Sequence, residues 1–363
     1  MKAETTSVDA IMLCSYGGPR QPDDILPFLR NATRGKGIPD ERLIQVGGHY
    51  SLFGGKSPIN ECNDEFSRAL AGELEQRGVK CPVVVGNRNW HPYFTETLTS
   101  LIDLGHRTVL CVFTSAFASY SGCRQYREDL AAALDELGDK ASELVLTKVR
   151  PYYTTQGILS AHVRSITRAM RELDDPHLVL VTHSIPVSME ANSGDHHLPT
   201  YVGQHHQLGE EICRHVSDEL GREVPFDLAY CSRSGPPQSR WLEPDINDHL
   251  EFLHDGGTRA VVVAPIGFIS DHMEVVYDLD TEAKATADNL GMDYRRAATP
   301  GTDPAFVSSL ADVVCERIGS GAAGDAIDIR WPVTCSQECC LPRESYQMRP
   351  TCFNHPNQGE THE

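Results

Sequence analysis

Short apolar runs alternate with longer amphipathic stretches along most of the chain, and this alternation constrains the fold more than any other feature. The apolar runs have the length of buried strands and lie at residues 10–15, 83–86, 108–114, 144–149, 177–182, 227–231 and 259–265. Helical patterns lie between them, at residues 60–77, 122–137, 157–172, 202–220 and 305–318. Strand–helix alternation of this kind predicts an α/β fold with parallel sheets covered on both faces.

The pattern of strand, loop and helix occurs twice with a similar ending. The apolar run at 109–114 is followed by Ser-Ala-Phe-Ala-Ser-Tyr, and the run at 261–265 by Ile-Gly-Phe-Ile-Ser-Asp. A chain of 363 residues also exceeds what one hydrophobic core usually holds. The sequence therefore predicts two similar domains, at residues 8–150 and 151–320, with ligands at the carboxyl ends of the strands.

The composition changes after residue 318. Residues 321–363 are rich in Cys and Pro and offer little core of their own. Four of the 12 cysteines crowd this tail: Cys335, Cys339, Cys340 and Cys352. In a reducing compartment, clustered thiols indicate a metal site rather than disulfides, and a segment with so little core needs such a staple to be ordered.

The charge balance narrows the range of partners. The chain has 32 basic and 51 acidic residues, a formal net charge of −19, which argues against non-specific binding to nucleic acid or anionic membranes. No run approaches the length of a membrane-spanning helix, and the first apolar run, at 10–14, is too short for a signal-peptide core. We expect a cytoplasmic protein with neither a nucleic-acid partner nor integral membrane association.

Two polar side chains stand at the tips of predicted strands. His183 directly follows the apolar run at 178–181, where an imidazole is well placed to bind a ligand or transfer a proton. The alternative is a solvent-facing loop histidine. Tyr16 follows the first strand, in Ser-Tyr-Gly-Gly-Pro, and could equally be a buried tyrosine with a satisfied hydroxyl.

Acidic residues recur at a spacing of four after the strand at 259–265. Glu274, Asp278 and Glu282 would form one stripe on a helix. A solvated face tolerates such a stripe at small cost. The functional alternative is a track for cations or protons that begins at Glu274, because carboxylates and an imidazole together suit a divalent first-row metal.

Several common motifs are missing. The chain has no Walker phosphate loop, no Gly-x-Gly-x-x-Gly that opens a helix and no Gly-x-Ser-x-Gly elbow around Ser184. The sequence thus gives no local support for nucleotide binding and counts against a serine hydrolase. The pairs His196-His197 and His205-His206 lie in a polar stretch and are expected to be solvated.

Four motifs, in order and with suitable spacings, resemble those of the ferrochelatase family over residues 8–317. They are Gly-Gly-Lys-Ser-Pro-Ile at 54–59, His-Ser-Ile-Pro at 183–186, Ser-Arg-Ser-Gly-Pro-Pro at 232–237 with Trp-Leu downstream, and Gly-Phe-Ile-Ser-Asp-His-Met-Glu at 267–274 followed by Asp-Leu-Asp. The resemblance implies ferrous iron insertion into a porphyrin, in a cleft between two Rossmann-like domains. It places His183 and Glu274 at the porphyrin centre, with Asp278 and Glu282 as the outlying acidic track.

The resemblance extends to one branch of the family. A Tyr at the position of Tyr16 and the lack of a hydrophobic membrane lip favour coproporphyrin III, which would give coproheme in heme biosynthesis. Arg34, Ser57 and Tyr120 fall in segments that line the cleft in this branch and are candidate propionate contacts. The implied partners are coproporphyrin III, ferrous iron and a downstream enzyme that handles coproheme, and we expect a monomer.

Three alternatives stay open at this point. The first is a protoporphyrin IX ferrochelatase. The second is a cobalt or nickel tetrapyrrole chelatase, which would place two histidines at the metal. The third is a non-catalytic porphyrin carrier or redox sensor.

The tail matches another feature of some ferrochelatases. These hold a [2Fe–2S] cluster with one internal cysteine and three near the C-terminus, and Cys123 matches the internal one. The resemblance thus implies Cys123, Cys335, Cys340 and Cys352 as ligands, with Cys339 as the alternative to Cys340. A structural Zn²⁺ site in the tail alone is the competing interpretation.

Overall fold

Two four-stranded parallel sheets form the framework of the protein. The computed structural model describes residues 7–195, 197–235, 239–342 and 346–354. The strands in this part are β1 Ala10–Ser15, β2 Val83–Asn87, β3 Thr108–Phe113, β4 Val145–Lys148, β5 His177–His183, β6 Phe226–Cys231, β7 Ala260–Ala264 and β8 Asp293–Arg296. The sheet orders are β2-β1-β3-β4 and β6-β5-β7-β8, so both halves have the same topology. The predicted α/β fold with two similar halves is confirmed.

Helices cover both sheets. They are α1 Ile25–Ala32, α2 Asp40–Ser51, α3 Ile59–Gln76, α4 Phe94–Asp103, α5 Gln125–Leu137, α6 Gln156–Met170, α7 Val187–Glu190, α8 Tyr201–Leu220, α9 Ile246–Asp255, α10 Met273–Tyr277, α11 Lys284–Leu290 and α12 Pro304–Ile318. Two π-helical segments, Tyr120–Arg124 and Asp278–Ala283, precede α5 and α11. Such segments often occur at functional sites.

The sequence missed one strand, β8. Its residues are Asp-Tyr-Arg-Arg, and of these Tyr294 alone is buried. An edge strand has one open side and can carry charged residues, so it lacks the continuous apolar run that identified the central strands.

The two halves share a continuous core. The last helix, α12, packs against α3 of the first half and α6 of the second. Phe306 of α12 stacks on Phe66 of α3 with ring centroids 5.5 Å apart, and Arg77 pairs with Asp312 at 2.5 Å. The chain thus returns to its first half after completing its second, which limits how far the two can separate.

The tail lies on the body rather than beside it. Trp331, Cys335, Cys339 and Cys340 are all at most 5% exposed. The Cys335 amide donates to the Phe353 carbonyl at 3.0 Å, which joins the two ends of the described tail.

One of the paired histidines differs from its prediction. His205 is fully buried and stacks on Phe117 with centroids 3.9 Å apart, so the expectation of a solvated residue is wrong for it. It lies on the inner face of α8, where polar neighbours in the sequence concealed the burial. His196 lies outside the described residues.

Within the described residues, no helix combines the length and apolarity needed to cross a membrane.

Candidate active site

His183 and Glu274 meet at the carboxyl edge of the second sheet. His183 is the last residue of β5, and its Nε2 lies 3.5 Å from Glu274 Oε1. The loop between β7 and α10 packs on the tip of β5 at Gly267, where a Cβ would lie 2.0 Å from Thr182 Oγ1. Only glycine fits this approach, which brings the following helix and its carboxylate up to the imidazole.

Glu274 is oriented by the start of its own helix. His272 is the N-cap residue of α10, and its Nδ1 accepts a hydrogen bond from the Glu274 amide at 3.2 Å. The same nitrogen lies 3.8 Å from Glu274 Oε2. The carboxylate thus stands between two imidazoles, with about half of its side chain still exposed.

The pair favours the imidazolium–carboxylate state. Burial disfavours a charged His183, but the facing Glu274 carboxylate and the Ser184 carbonyl that contacts Nδ1 outweigh burial and raise the pKa of the imidazole above its usual value. Burial would raise the pKa of Glu274, yet His183 and His272 lower it to about 2. The raised pKa of His183 and the lowered pKa of Glu274 both favour a proton on the imidazole over one on the carboxylate.

The acidic stripe continues from this pair. Asp278 opens the second π-helical segment, and its Oδ2 accepts a hydrogen bond from Ser232 Oγ just beyond the tip of β6. Burial and then the carboxylates of Glu274 and Glu282 raise the pKa of Asp278 to about 7. Asp278 can therefore take up or release a proton near neutral pH.

Tyr16 provides the wall contributed by the first half. It follows β1, and the residue is 40% exposed. Burial of its hydroxyl and the nearby Glu274 carboxylate raise the pKa of Tyr16 to about 12. The guanidinium of Arg88 lies on the ring, with Cζ 5.7 Å from its centroid. Tyr16 is therefore neutral and within electrostatic reach of the opposite pair.

Apolar contacts join the two walls beside Tyr16. Met273 of α10 belongs to one buried cluster with Ile25, Phe28, Leu29, Leu43 and Tyr50 of the first half. Tyr277 also stacks on His49 of α2, with ring centroids 3.8 Å apart. A flat ligand between the walls would have to displace contacts of this kind.

The three candidate propionate contacts lie in different surroundings. Arg34 is exposed and donates to Asn31 Oδ1 at 2.5 Å. Ser57 is buried, and its amide donates to the Pro19 carbonyl at 2.9 Å in the loop after β1. Tyr120 is buried, and its hydroxyl donates to Glu128 Oε2 at 3.1 Å. The hydroxyl of Tyr120 is thus committed to α5, and its ring faces Tyr346 of the tail.

Four thiols meet where the tail covers the first half. Cys123 hydrogen-bonds with Cys335 and Cys340, and Cys339 does so with Cys335. The Sγ atoms of Cys339 and Cys340 are 3.6 Å apart, which closes the ring of contacts. Hydrogen bonds from the thiols of Cys123 and Cys339 lower the pKa of Cys335 well below its usual value.

The members of this thiol group differ at one position from the ligands that the family resemblance implies. Cys339 and Cys340 both join the thiol group, whereas the electrostatic neighbours of the Cys352 thiol are Cys111, Arg127 and Asp135. The Cys352 carbonyl accepts from Arg127 Nε at 2.9 Å, which fixes this part of the tail on α5. In the described ranges, no group of three or more His, Cys, Asp or Glu side chains has the arrangement of a metal site.

Sequence reasoning missed two supporting roles. Ser232 reaches Asp278 with a backbone φ of 61°, which the sequence does not reveal. His272 caps α10, a role that the sequence did not indicate because the usual N-cap residues are Ser, Thr, Asp and Asn.

The chain matches the sequence model of the Ferrochelatase family over residues 8–318. It is 48% identical over 326 residues to a coproporphyrin III ferrochelatase of Streptomyces coelicolor, covering 87% of each chain. It is 45% identical over 356 residues to that of Streptomyces griseus, covering 92% of this chain and 94% of the other. Among solved structures, SirB from Bacillus subtilis with Fe³⁺ aligns with a TM-score of 0.49 at 11% identity, over 86% of this chain and 96% of that one.

Proposed function

The chain belongs to the ferrochelatase family, an enzyme family, and from this premise we propose that it inserts ferrous iron into coproporphyrin III. The observation that carries the proposal is the His183–Glu274 pair, 3.5 Å apart and facing Tyr16 of the other half. The names of the relatives support the choice of porphyrin.

The chemistry of the reaction explains the pair. Metallation removes two pyrrole N–H protons and delivers a cation stripped of its water. A neutral His183 can accept a pyrrole proton, and the Glu274 carboxylate can hold the arriving Fe²⁺ or stabilise the imidazolium that forms. Because the free pair favours the imidazolium, His183 must first pass its own proton on.

Asp278 is the acceptor that the structure offers. Its pKa of about 7 lies well above that of Glu274, and it interacts electrostatically with both members of the pair. We propose that protons leave from His183 along Asp278 and Glu282, while iron enters at Glu274.

This route predicts a specific pH dependence. The insertion rate should rise between about pH 6 and 8, because His183 and Asp278 must both lose a proton and both have raised pKa values. Below pH 6.5, the logarithm of kcat/KM should climb with a slope above one in wild type. Asp278→Asn should reduce the slope to one and shift it to lower pH, because a carboxylate that raises the pKa of His183 is gone. Anaerobic rate profiles measure this.

Asp288→Asn is the matched control for that profile. Asp288 is exposed on α11 and pairs with Lys284 at 2.5 Å, away from the pair. The Asp288→Asn substitution should leave the slope of the logarithm of kcat/KM against pH unchanged. An Asp278→Asn profile that overlays wild type would contradict the proton route.

The charges at the cleft support coproporphyrin III over protoporphyrin IX. Lys36, in the loop that follows Arg34, lies close enough to Glu274 to lower its pKa. Lys36 therefore lies near the proposed iron site of a protein with a net charge of −19, where it can attract a porphyrin with four propionates.

A direct comparison of substrates tests the choice of porphyrin. Both porphyrins would be offered separately with Fe²⁺ under anaerobic conditions, and the initial rates compared. We expect a higher kcat/KM for coproporphyrin III. Faster metallation of protoporphyrin IX would contradict this choice, and preferential use of Co²⁺ or Ni²⁺ would favour the other chelatase function.

We further propose that the four-thiol group holds a [2Fe–2S] cluster. Its ligands would be Cys123, Cys335, Cys339 and Cys340. Compared with the set implied by the resemblance, Cys339 takes the place of Cys352. Four buried thiols from both the body and the tail fit a cluster held by thiolates, and the part played by Cys123 disfavours a zinc site within the tail alone. When bound, the cluster would tie the tail to the first half. The monomeric state, the cytoplasmic location and the coproheme-handling partner stay proposals alongside it.

A further inference from the structure

The tail reaches Tyr16 through a chain of ion pairs. Arg349 lies beyond the match to the family, which ends at residue 318. Its Nη2 pairs with Asp129 Oδ1 at 3.0 Å, and its Nε donates to Glu128 Oε2, also at 3.0 Å. Asp129 uses its other oxygen, Oδ2, to accept from Arg88 Nε at 2.6 Å. Asp129 is therefore shared between the tail and the residue beneath Tyr16.

Arg88 has little freedom in this position. Its side chain is 6% exposed and lies between the rings of Tyr16 and Tyr126, with Cζ 4.8 Å from the second centroid. The adjoining backbone is tied to the same loop, because the amides of Arg88 and Asn89 donate to the carbonyls of Ser15 and Tyr16 at 3.0 and 3.1 Å. A shift of Arg88 would therefore move the wall of the cleft.

The tail also contacts the π-helical segment Tyr120–Arg124 that precedes α5. Arg124 and Glu128 form a pair that is at most 2% exposed, and Arg124 Nη1 donates to the carbonyls of Gln337 and Cys339 at 2.6 and 3.1 Å. Buried charges that lose a partner destabilise strongly. The tail thus provides hydrogen-bond partners for the buried charge of Arg124. Arg349 is the tail residue whose ion pair with Asp129 leads on to Arg88 and the cleft.

We propose that Arg349 and Asp129 are positioning residues, through which the tail holds Arg88 and Tyr16 in place on the porphyrin-binding wall. The inference rests on the proposed function for its kinetic consequence only. Because His183 and Glu274 stand on the opposite half, loss of the Arg349–Asp129 ion pair should weaken porphyrin binding and leave the proton-transfer step unchanged.

The test is Arg349→Gln in the full-length protein. The KM for coproporphyrin III should rise about threefold to fivefold, as for loss of one partly exposed ion pair, with kcat nearly unchanged. Amide exchange of the peptides carrying residues 13–18 and 86–90 should accelerate without any substrate, while that of β5 stays the same. Asp129→Asn should have at least the same effect, and adding Arg349→Gln to it should change little further.

Arg214→Gln is the matched control, since Arg214 is an exposed arginine that pairs with Glu211 on α8. If Arg349→Gln matches it in both KM and exchange, or if the two substitutions of the ion-pair chain prove additive, the inference is wrong. A lowered melting temperature with unchanged exchange at residues 86–90 would also overturn it. If wild type metallates no porphyrin, the proposed function fails, but the exchange experiment still decides the role of Arg349.

Discussion

His183→Ala should lower the rate of iron insertion by roughly 10²- to 10⁴-fold, the range that general acid–base catalysis contributes. His183 lies at the end of β5, facing Glu274 at 3.5 Å, and the substitution removes the group proposed to accept the pyrrole proton. Porphyrin affinity should stay close to that of wild type, because the Tyr16 wall and the cations at Arg34 and Lys36 are untouched. Anaerobic kinetics and titration of porphyrin fluorescence measure the two quantities.

His206→Ala provides the control for losing an imidazole. His206 is exposed on the outer side of α8, and its replacement should leave both rate and affinity unchanged. Near-normal turnover by His183→Ala would show that His183 is not the proton acceptor and is an ordinary loop histidine. An equal loss of affinity and rate would indicate that His183 binds porphyrin instead of moving protons.

Cys123→Ser should remove the colour of the protein and loosen its tail. Wild type, as isolated, should be reddish-brown with about two irons and two sulfides per chain. The substitution removes the one proposed ligand from the body, so the ring of thiols opens and the described tail residues, 335–342 and 346–354, lose an anchor. We expect visible absorbance to disappear, the tail to become sensitive to protease and the melting temperature to fall. Absorbance, iron analysis and limited proteolysis measure these effects.

Cys352→Ser distinguishes the ligand set proposed from the four-thiol group from the set implied by the family resemblance. The Cys352 thiol neighbours Cys111 and Arg127, so its replacement should leave colour and iron content unchanged. Bleaching by Cys352→Ser with retention of colour in Cys339→Ser would restore the predicted set. A colourless wild-type protein with one zinc would contradict the cluster altogether.

The sequence predicted the framework because the central strands are buried on both faces. Runs such as Val261–Val263 are fully buried and leave little choice of structure. Strand β8 was not predicted because Asp293 and Arg295 are exposed on the edge of the sheet and interrupt the apolar run. The burial of His205 was not predicted because its neighbours in the sequence of helix α8 are polar.

Candidate site residues could be predicted where they lie at the end of a strand or recur at helical spacing. His183 and Glu274 could be named as candidates from a strand end and an i,i+4 acidic series, and the family resemblance then paired them. Contacts that depend on folding together distant segments could not be named. Tyr120 illustrates this limit, because its hydroxyl turns to Glu128 at 3.1 Å in the interface with the tail. The ion pairs of Asp129 with Arg88 and Arg349 likewise join three distant segments.

Conversion of the Soret band tests the central proposal most directly. Purified wild-type protein would be mixed anaerobically with coproporphyrin III and Fe²⁺, alongside His183→Ala and a reaction without protein. We expect rapid conversion of the free-porphyrin spectrum to that of the iron complex by wild type, with two protons released per iron, and near-background conversion by His183→Ala. A stable porphyrin complex that wild type never metallates would contradict it and indicate a porphyrin carrier.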